Sequence, residues 1–460
     1  MNVMKLFMEP NSVAIVGATT STGPGSFNAV ETLLNFGYRG KIFPVNPKAD
    51  QILGVKAYPN VKAIPESVDL AIIATPRDKV PPLVKDCVEK GIKAAVIFAQ
   101  GFSDADAQGR SLQSHILDIA RQGGLRIIGP NTFGVANVFH NFATTPGIPQ
   151  IDRTPAGLIS QSGLFFLGLP RLRFSKIIDL GNACDLDPSD ALTYFEEDPQ
   201  VRVIALHLEG VRDGKRFLEV ARRITQKKPI VVLKGGRSEH GAKAAQSHTG
   251  SLVGRDEVYD AAFSQCGIIR TEDIEELEDI ALSLLRLPLL EGKRVAVASW
   301  AGATAVFAAD ACEKYGLQLA KLSTSTVNTI KRLAPPWLPI HNPLDLWAAI
   351  GLNPDLLTFG DRIKLVLEAL LGEENADAVL AIIPDFVEMF GERGDLSCLI
   401  GDVSDGFPRR PLVLSCLGAP GKFFAKLAQL DRAVVFPSPE RAIRALARLW
   451  YYSQKRKGKS

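Results

Sequence analysis

Short apolar runs alternate with amphipathic stretches along the first third of the chain. The apolar runs, rich in Val and Ile, predict buried strands at Ser12–Val16, Lys41–Val45, Leu70–Ala74, Ala94–Ala99 and Leu125–Ile128. The stretches between them have helical spacing at Phe27–Phe36, Val80–Lys90 and Asp104–Gly123. Parallel strands with crossover helices produce this alternation, so the pattern predicts a doubly wound sheet.

The same alternation returns after a Pro- and Gly-containing break at Thr145–Pro155. We expect strands at Gly157–Ser160, Lys176–Leu180, Val203–Leu208 and Ile230–Lys234. The helical stretches are Ser189–Glu196, Gly214–Gln226, Arg255–Gln265 and Glu272–Leu285. A second junction at Leu287–Gly292 closes this part.

A third α/β segment completes the pattern. Its predicted strands are Arg294–Ser299, Ala378–Ile383 and Pro411–Cys416, and its helices include Ala303–Lys314 and Pro439–Tyr452. The breaks divide the chain into three predicted domains, residues 1–148, 149–290 and 291–460.

Composition describes an ordinary globular protein. The chain has 460 residues, 46% of them hydrophobic and 22% charged, with a formal net charge of +3. The basic residues are dispersed except at Lys455–Lys459, which is most simply a solvated terminus, so nucleic acid is not an expected partner.

Cysteine spacing and the absence of a long apolar run narrow the setting. The six cysteines include no Cys-x-x-Cys pair, so no metal site is expected. No run approaches the roughly 20 apolar residues of a membrane span, and the N-terminus lacks a signal pattern. We therefore expect a cytoplasmic protein with no membrane partner.

A Gly- and hydroxyl-rich loop, Gly17–Ser26, follows the first predicted strand and opens a helix. Its amide groups and the helix dipole suit a phosphate, although a plain strand–helix turn explains the composition as well. The loop lacks the G-x-G-x-x-G fingerprint of dinucleotide enzymes. Lys48 follows the second strand where those enzymes carry an acid, which favours an extra phosphate unless it is only a surface lysine.

His248 lies in the run Ser247–Ser251, surrounded by Ser, Thr and Gly. A neutral imidazole can accept a phosphoryl group, and those neighbours can surround it with donors; a structural or exposed histidine is the alternative. Glu209 follows a predicted strand and can orient an imidazole, unless it is a solvated loop acid. Ser160–Gly163 can hold an anion or merely cap a helix.

Taken together, these segments resemble the acyl-CoA synthetase (NDP-forming) family, most closely the alpha subunit of its ADP-forming acetate–CoA ligases and more distantly succinyl-CoA synthetase alpha. The resemblance runs the length of the chain and is most specific over Gly235–Phe263. The matching segments are Ser12–Ala18, Gly40–Lys48, Ile128–Asn131, Ser160–Gly163, Leu180–Asn182 with Asp185 and Asp190, Gly235–Ser238, Ser247–Gly250, Tyr259–Phe263 and Asn342–Asp345.

The resemblance implies acyl-CoA + ADP + phosphate interconverting with carboxylic acid + CoA + ATP through an acyl phosphate and a phosphohistidine. It implies that His248 carries the phosphoryl group and that Glu209 steadies it. The implied phosphate-binding residues are Ser160, Gln161, Ser162, Gly163, Thr249 and Gly250. The implied coenzyme A contacts are Gly17, Ala18, Thr22, Gly23, Gly25, Ser26, Asn46, Pro47, Lys48, Ala74, Pro76 and Asn131.

The implied fold is an N-terminal Rossmann-like CoA-binding domain followed by two flavodoxin-like domains of the succinyl-CoA synthetase type. The second glycine loop, Ser299–Thr304, departs from the family because it carries the bulky Trp300. No segment resembles an ATP-grasp domain. The family therefore implies an ATP-grasp beta subunit that binds ADP or ATP with magnesium, in a complex expected to be α2β2.

Two alternatives stay open at this point. The altered Trp300 loop is compatible with a CoA-binding regulatory protein that has no turnover. An NAD-dependent dehydrogenase rests only on the doubly wound first domain, which lacks both the fingerprint and a ribose-binding acid.

Overall fold

The computed structural model describes residues 3–23, 25–145, 151–243, 254–351, 358–418 and 420–457. The chain forms two compact units, Met1–Asp273 and Ile274–Ser460, called unit 1 and unit 2 below. The predicted residues His248, Thr249 and Gly250 lie outside the described residues.

Unit 1 contains two main sheets. Its strands are β1 (Ser12–Val16), β2 (Lys41–Val45), β3 (Gln51–Ile52), β4 (Val55–Lys56), β5 (Leu70–Ile73), β6 (Ala94–Ile97), β7 (Arg126–Ile128), β8 (Val135–Asn137), β9 (Phe142–Ala143), β10 (Ala156–Ser160), β11 (Lys176–Asp179), β12 (Val203–Leu208), β13 (Ile230–Lys234) and β14 (Ile269–Thr271). Its α-helices are α1 (Met4–Met8), α2 (Ala29–Asn35), α3 (Val80–Lys90), α4 (Ala107–Gly123), α5 (Pro188–Glu197), α6 (Gly214–Ile224) and α7 (Asp256–Cys266).

The strand order explains where ligands can enter. The first sheet runs β2-β1-β5-β6-β7 with all neighbours parallel. In the second, β14-β13-β12-β10-β11 are parallel and β8 and β9 extend the edge in antiparallel fashion. In both, the order reverses beside the first strand, β1 or β10, and ligands of such sheets bind at the carboxyl ends of the strands there.

Local sequence signals set several helix ends. Asp187 accepts from the amides of Ser189 and Asp190, and the Asp190 carboxylate accepts from the Asp187 amide, which makes a capping box at the start of α5. Asp106 caps α4, and Gly124 ends it in the left-handed region at φ +66°.

Hydrogen bonds in unit 1 join the end of the first sheet to the loop after β11. The amides of Asn182, Cys184 and Leu186 donate to the carbonyls of Pro130, Gly129 and Ile127 at 2.9, 3.0 and 3.2 Å. Arg126 Nε also donates to the buried Asp185 carboxylate at 2.7 Å. These bonds fix how the two sheets of unit 1 face each other; the residues 127–134 and 179–186 that they join are called the inter-sheet seam.

Unit 2 contains another parallel sheet, again combined with helices. Its strands are β15 (Arg294–Ser299), β16 (Gln318–Leu319), β17 (Leu344–Asp345), β18 (Ala378–Pro384), β19 (Leu412–Leu417) and β20 (Ala433–Phe436). Its α-helices are α8 (Ile274–Arg286), α9 (Gly302–Lys314), α10 (Thr324–Lys331), α11 (Phe359–Leu371), α12 (Phe386–Phe390), α13 (Ser397–Gly406), α14 (Lys422–Leu427) and α15 (Pro439–Lys457). The parallel order β16-β15-β18-β19-β20 is that of a flavodoxin-like sheet.

The predicted fold class is confirmed, and the differences are local. The turn after Ser162 is a short 3₁₀ helix, Gly163–Leu167, and Pro170 follows it closely. The prediction that the last helix ends at Tyr452 is wrong, because α15 continues through Lys457. The small strands β8 and β9 were not predicted. Among the described residues, no helix is long and apolar enough to cross a membrane.

Buried ion pairs hold α15 against α8 within unit 2. Asp279 is 1% exposed and receives two hydrogen bonds from Arg441, at 2.7 and 3.0 Å. Glu276, which is fully buried, receives one from Arg448 at 3.2 Å. Each carboxylate therefore depends on an arginine of α15 for its charge to be tolerated.

We expect Arg441→Ala to lower the free energy of unfolding of unit 2 by about 3 kcal/mol, because it leaves the Asp279 carboxylate buried without its main partner. Urea unfolding followed by tryptophan fluorescence measures this, since all four tryptophans, Trp300, Trp337, Trp347 and Trp450, lie in unit 2. Arg432→Ala is the control: its pair with Asp405 is solvent-exposed and should contribute less than about 1 kcal/mol. Equal losses for the two variants would contradict the assignment.

Candidate functional site

A cavity of about 680 Å³ lies in unit 1 where strands of both sheets end. This volume is typical of small-molecule and cofactor sites, which occupy about 300–1,000 Å³. Of the residues predicted from the sequence, those on its wall are Gly17, Ser26, Ala74, Pro76, Asn131, Gln161, Ser162 and Gly163. The cavity therefore brings together residues predicted for coenzyme A and residues predicted for phosphate.

Gly17 shapes the wall that belongs to the first sheet. It ends β1 at φ +88°, and a Cβ atom there would lie 2.6 Å from the carbonyl oxygen of Ala74 after β5. Only glycine allows β1 and β5 to end this close together. At the switch point of the first sheet, the cavity wall is therefore backbone without a side chain, so a ligand can approach the backbone closely.

Asn46 fastens the neighbouring loop. Its side-chain nitrogen donates to the Ala18 carbonyl at 2.8 Å, and its oxygen accepts from the Lys48 amide at 2.8 Å. The structure places Ala18, Asn46, Pro47 and Lys48 behind or beside the cavity and not on its wall. The Lys48 side chain is exposed.

The loop before α2 is also held internally. The Asn28 side chain caps α2 and donates to the carbonyls of Thr19 and Ser21. The amide of Gly23 donates to the Glu31 carboxylate at 3.1 and 3.2 Å. Thr22, Gly23 and Gly25 do not line the cavity, so their predicted contacts with coenzyme A stay predictions.

The Ser160–Gly163 turn forms the wall that belongs to the second sheet. The buried Ser160 hydroxyl donates to the Ser162 carbonyl at 2.8 Å and accepts from the Ser162 amide at 2.9 Å. Ser162 caps the 3₁₀ helix through the Leu164 amide, and the Phe133 ring packs directly over Gly163. Ser160 therefore shapes the turn from behind, while Ser162 and Gly163 reach the cavity.

Gln161 ties this turn to Glu209. Its side-chain oxygen accepts from the amides of Glu209 and Gly210 at 2.7 and 3.2 Å. Glu209 follows β12 and is 8% exposed. The pairing of β10 with β12 places both residues at the point where the strand order of the second sheet reverses.

Two basic residues near Glu209 were not predicted. Burial, reinforced by the positive charge of Lys234, lowers the pKa of His207 to about 4. Its Nδ1 lies 3.3 Å from the Ser160 hydroxyl, whose hydrogen is already donated, so the neutral imidazole donates from Nδ1. His207 is therefore a neutral support for the turn.

Lys234 ends β13 and is almost fully buried. Burial lowers its pKa to about 8, although the Asp256 carboxylate opposes the shift. Its ammonium lies 4.6 Å from the centre of the Tyr259 ring and donates to the Gly235 carbonyl. The environment of Glu209 thus includes a buried positive charge.

Asp179 carries a carboxyl group on the cavity wall, whereas Glu209 is not on that wall. It ends β11, is 1% exposed, and accepts from the amides of Phe133 and Gly181 at 2.9 and 3.1 Å. Burial raises its pKa to about 6, against the effect of those hydrogen bonds. Asp179 and Lys234 could have been found from the sequence by applying to every strand end the argument that selected Glu209.

Aromatic side chains make up much of the remaining wall. Phe27, Phe98 and Phe133 line the cavity together with Leu164. Phe27 is 66% exposed and Phe133 39% exposed. Periodicity placed Phe27 in a predicted helix and Phe98 in a predicted strand, but all three rings lie in loops, so it did not indicate that they line a cavity. Among the described residues, no cluster of His, Cys, Asp or Glu is arranged to hold a metal ion.

The fold and the cavity define a class: α/β proteins that join a CoA-type domain to a succinyl-CoA ligase-type domain. A family model described as a CoA binding domain matches residues 11–138. One described as a succinyl-CoA ligase like flavodoxin domain matches residues 153–284. The matched residues include every strand of the two sheets that meet at the cavity, apart from the edge strand β9.

Comparison with known proteins narrows the class to one family. ADP-forming acetate–CoA ligase I subunit alpha from Pyrococcus furiosus is 34% identical over 462 residues, which cover 98% of this chain and 98% of that subunit. ADP-forming acetate–CoA ligase II from Archaeoglobus fulgidus is 40% identical over 384 residues, which cover 81% of this chain and 56% of that protein. The chain spans about half the length of this second relative.

A solved structure agrees over the whole chain. Dinucleotide forming acetyl-coenzyme A synthetase 1 from Ca. Korarchaeum cryptofilum, in complex with phosphate and ADP, is 31% identical with a TM-score of 0.87, and the match covers 99% of this chain and 98% of that chain. The chain belongs to the family of ADP-forming acetate–CoA ligases, in which it corresponds to the alpha subunit.

The raised pKa of Asp179 predicts a pH-dependent stability. Its folded-state pKa, about 6, exceeds the ordinary 3.8, so the folded chain binds this proton more tightly than the unfolded chain. The resulting stabilisation is complete below pH 4 and is lost as the pH rises through 6. In Asp179→Asn, this dependence should disappear.

The measurement is the difference in free energy of unfolding between the original chain and Asp179→Asn, from urea unfolding followed by circular dichroism at several pH values. We expect the difference to fall by about 2–3 kcal/mol between pH 4 and 7, at 1.36 kcal/mol per pH unit. Any constant cost of the altered hydrogen bonds cancels from this slope. A difference that does not change with pH would show that Asp179 is not perturbed by burial.

Proposed function

We propose that the chain is the alpha component of an ADP-forming acyl-CoA synthetase. It would interconvert acyl-CoA, ADP and phosphate with a carboxylic acid, CoA and ATP, through an acyl phosphate and a phosphohistidine. One observation carries the proposal: a single cavity in unit 1 is lined both by the end of β1 in the CoA-type sheet and by the Ser160–Gly163 turn. Thioester and phosphate can meet there.

For coenzyme A, the cavity wall supports contacts by Gly17, Ser26, Ala74, Pro76 and Asn131. The ends of β1 and β5 lie close together at Gly17, at the switch point where ligands of such sheets bind. We propose that Lys48, exposed at the end of β2, binds a phosphate of coenzyme A outside the cavity.

For the phosphoryl group, we propose His248 as the carrier, with Thr249 and Gly250 beside it. Glu209, fixed in place through its own backbone by Gln161, would accept from the imidazole and favour its charged form. Ser162 and Gly163 would hold phosphate at the start of the 3₁₀ helix, because small residues there expose backbone donors.

The remaining components would come from a partner. We propose an ATP-grasp beta subunit that binds ADP or ATP with magnesium, in an α2β2 complex. We also propose domain boundaries at 148/149 and 290/291. The acid activated is a small carboxylic acid, with acetate as the starting candidate because the two named relatives are acetate–CoA ligases.

The geometry of Trp300 weakens the regulatory alternative. Its ring packs among Trp347, Phe359 and Phe386, with ring centres 5.2, 5.5 and 5.1 Å away. The large Trp300 side chain, which departs from the family's glycine-loop pattern, is thus part of an aromatic cluster in unit 2. The helix that follows, α9, begins at Gly302 without a side-chain cap.

We expect His248→Ala to abolish phosphoenzyme formation, because it removes the nucleophilic imidazole. The full complex is incubated with labelled phosphate, acetyl-CoA and ADP, and the acid-labile label on this chain is counted. His240→Ala is the control, since His240 is exposed and lies in the same part of the sequence. Label that persists in His248→Ala, or turnover at the original rate, would refute the assignment.

We expect Lys48→Ala to weaken coenzyme A binding to the isolated chain about fivefold to tenfold, as for the loss of about 1 kcal/mol from one exposed charge contact. The difference should shrink at high salt. Calorimetric titration with coenzyme A and with its 3′-dephosphorylated form measures it. Lys41→Ala is the control, because Lys41 begins the same strand β2 at its opposite end and pairs with Glu66. Equal effects of the two variants on coenzyme A binding would contradict a specific contact by Lys48.

A further inference from the structure

The side chain of Gln161 has one end in use and one end free. It is 6% exposed and lines the cavity. Its oxygen accepts from two backbone amides, those of Glu209 and Gly210. Within the described part of the chain, no group accepts a hydrogen bond from its nitrogen Nε2. An amino group without a protein acceptor, on a largely buried side chain of the cavity wall, points to a ligand in the cavity.

The orientation of this side chain follows from its partners. Backbone N–H groups can only donate, so the atom that receives both of them must be the oxygen. That oxygen is directed at the end of β12, which leaves the amino group as the polar end that faces the cavity. Because both of its contacts are to backbone, the donor is held in place before any substrate binds.

We propose that Gln161 is a catalytic residue that donates a hydrogen bond from Nε2 to the carbonyl oxygen of the acyl group. The inference rests on the function proposed above and deepens it. A phosphate oxygen attacks the thioester carbon, and the C=O electron pair moves onto the carbonyl oxygen. The pair then re-forms C=O and expels the sulfur, which leaves as CoA thiol with the proton of hydrogenphosphate.

A neutral, fixed donor is suited to this oxygen. The carbonyl oxygen is uncharged in the substrate and gains charge only during the attack, so a preorganised donor stabilises the transition state more than the bound substrate. Two carboxyl groups, Asp179 and Glu209, follow the strands on either side of β10. Gln161 is the neutral donor between them.

The test uses the full complex and separates two partial reactions. Acyl transfer is measured as kcat and KM with acetyl-CoA, phosphate and ADP. Phosphorylation of this chain by ATP, without any acyl substrate, serves as the internal reference because it involves no acyl carbon. Three variants are compared: Gln161→Glu, Gln161→Met and Gln100→Glu.

The three variants separate the effect of losing the Nε2 donor from the effect of adding a negative charge. Gln161→Glu keeps an oxygen for the Glu209 and Gly210 amides and replaces only the amino group. Gln161→Met removes the donor without adding charge, and it also removes the oxygen that accepts from the Glu209 and Gly210 amides. Gln100→Glu places the same added charge on an exposed residue of the cavity.

We expect kcat for acyl transfer to fall about 100-fold to 1,000-fold in both Gln161 variants, as for the loss of one oxyanion donor. In Gln161→Glu, KM for acetyl-CoA and the level of ATP-driven phosphoenzyme should change less than about threefold, as expected for an interaction made only in the transition state. Gln100→Glu should lower kcat less than tenfold.

Three results would overturn the proposal. Equal loss of acyl transfer and ATP-driven phosphorylation would show that Gln161 acts on the phosphoryl group or on the fold. A rise in KM with unchanged kcat would indicate uniform binding. A loss in Gln161→Glu alone, with Gln161→Met active, would assign the effect to charge. Absence of any phosphoenzyme in the unaltered complex would instead refute the proposed function itself.

Discussion

The hydrogen bonds of the inter-sheet seam fix how the two sheets of unit 1 face each other, and the position of the cavity follows from this arrangement. Backbone bonds from Asn182, Cys184 and Leu186 reach back to residues 127–130, and the Asp179 carboxylate accepts from the Phe133 amide. At Gly181, a Cβ atom would lie 2.3 Å from the Asn131 carbonyl oxygen, so the two segments pass with no space for a side chain. Because the seam lies at the ends of β7 and β11, it directs the open ends of both sheets into one cavity.

Each sheet alone would bind a ligand in the ordinary way, at the carboxyl ends beside the reversal in strand order. In this chain, the carboxyl ends of both sheets border the same cavity. In the proposed function, a thioester at the end of β1 and a phosphate at the start of the Gly163–Leu167 turn would then be neighbours without any movement of the sheets. Holding two reactants in this way removes much of the entropic barrier to their reaction.

Periodicity in the sequence predicts the three sheets because their strands are uniformly apolar and short, and most predicted ends are within three residues of those observed. It does not predict β8 and β9, which have three and two residues and are defined by the pairing of β8 with β11 and of β9 with β8. Residue types predict Gln161, Ser162 and Gly163 as site residues. They do not predict Phe27 or Phe133, since those lie in loops and reach the cavity only through the inter-sheet seam and loop backbone.

The charges around Glu209 support its proposed role beside a phosphoryl carrier. His207 is neutral because burial and Lys234 both disfavour its protonation, so it does not compete for the carboxylate. Lys234 keeps one positive charge in the interior, held over the Tyr259 ring. The backbone of Glu209 is fixed by Gln161, and its carboxylate has the proposed role of accepting from a neighbouring imidazole. A carboxylate of this kind favours the imidazolium form of a histidine and so stabilises the charge that develops when its other nitrogen receives phosphate.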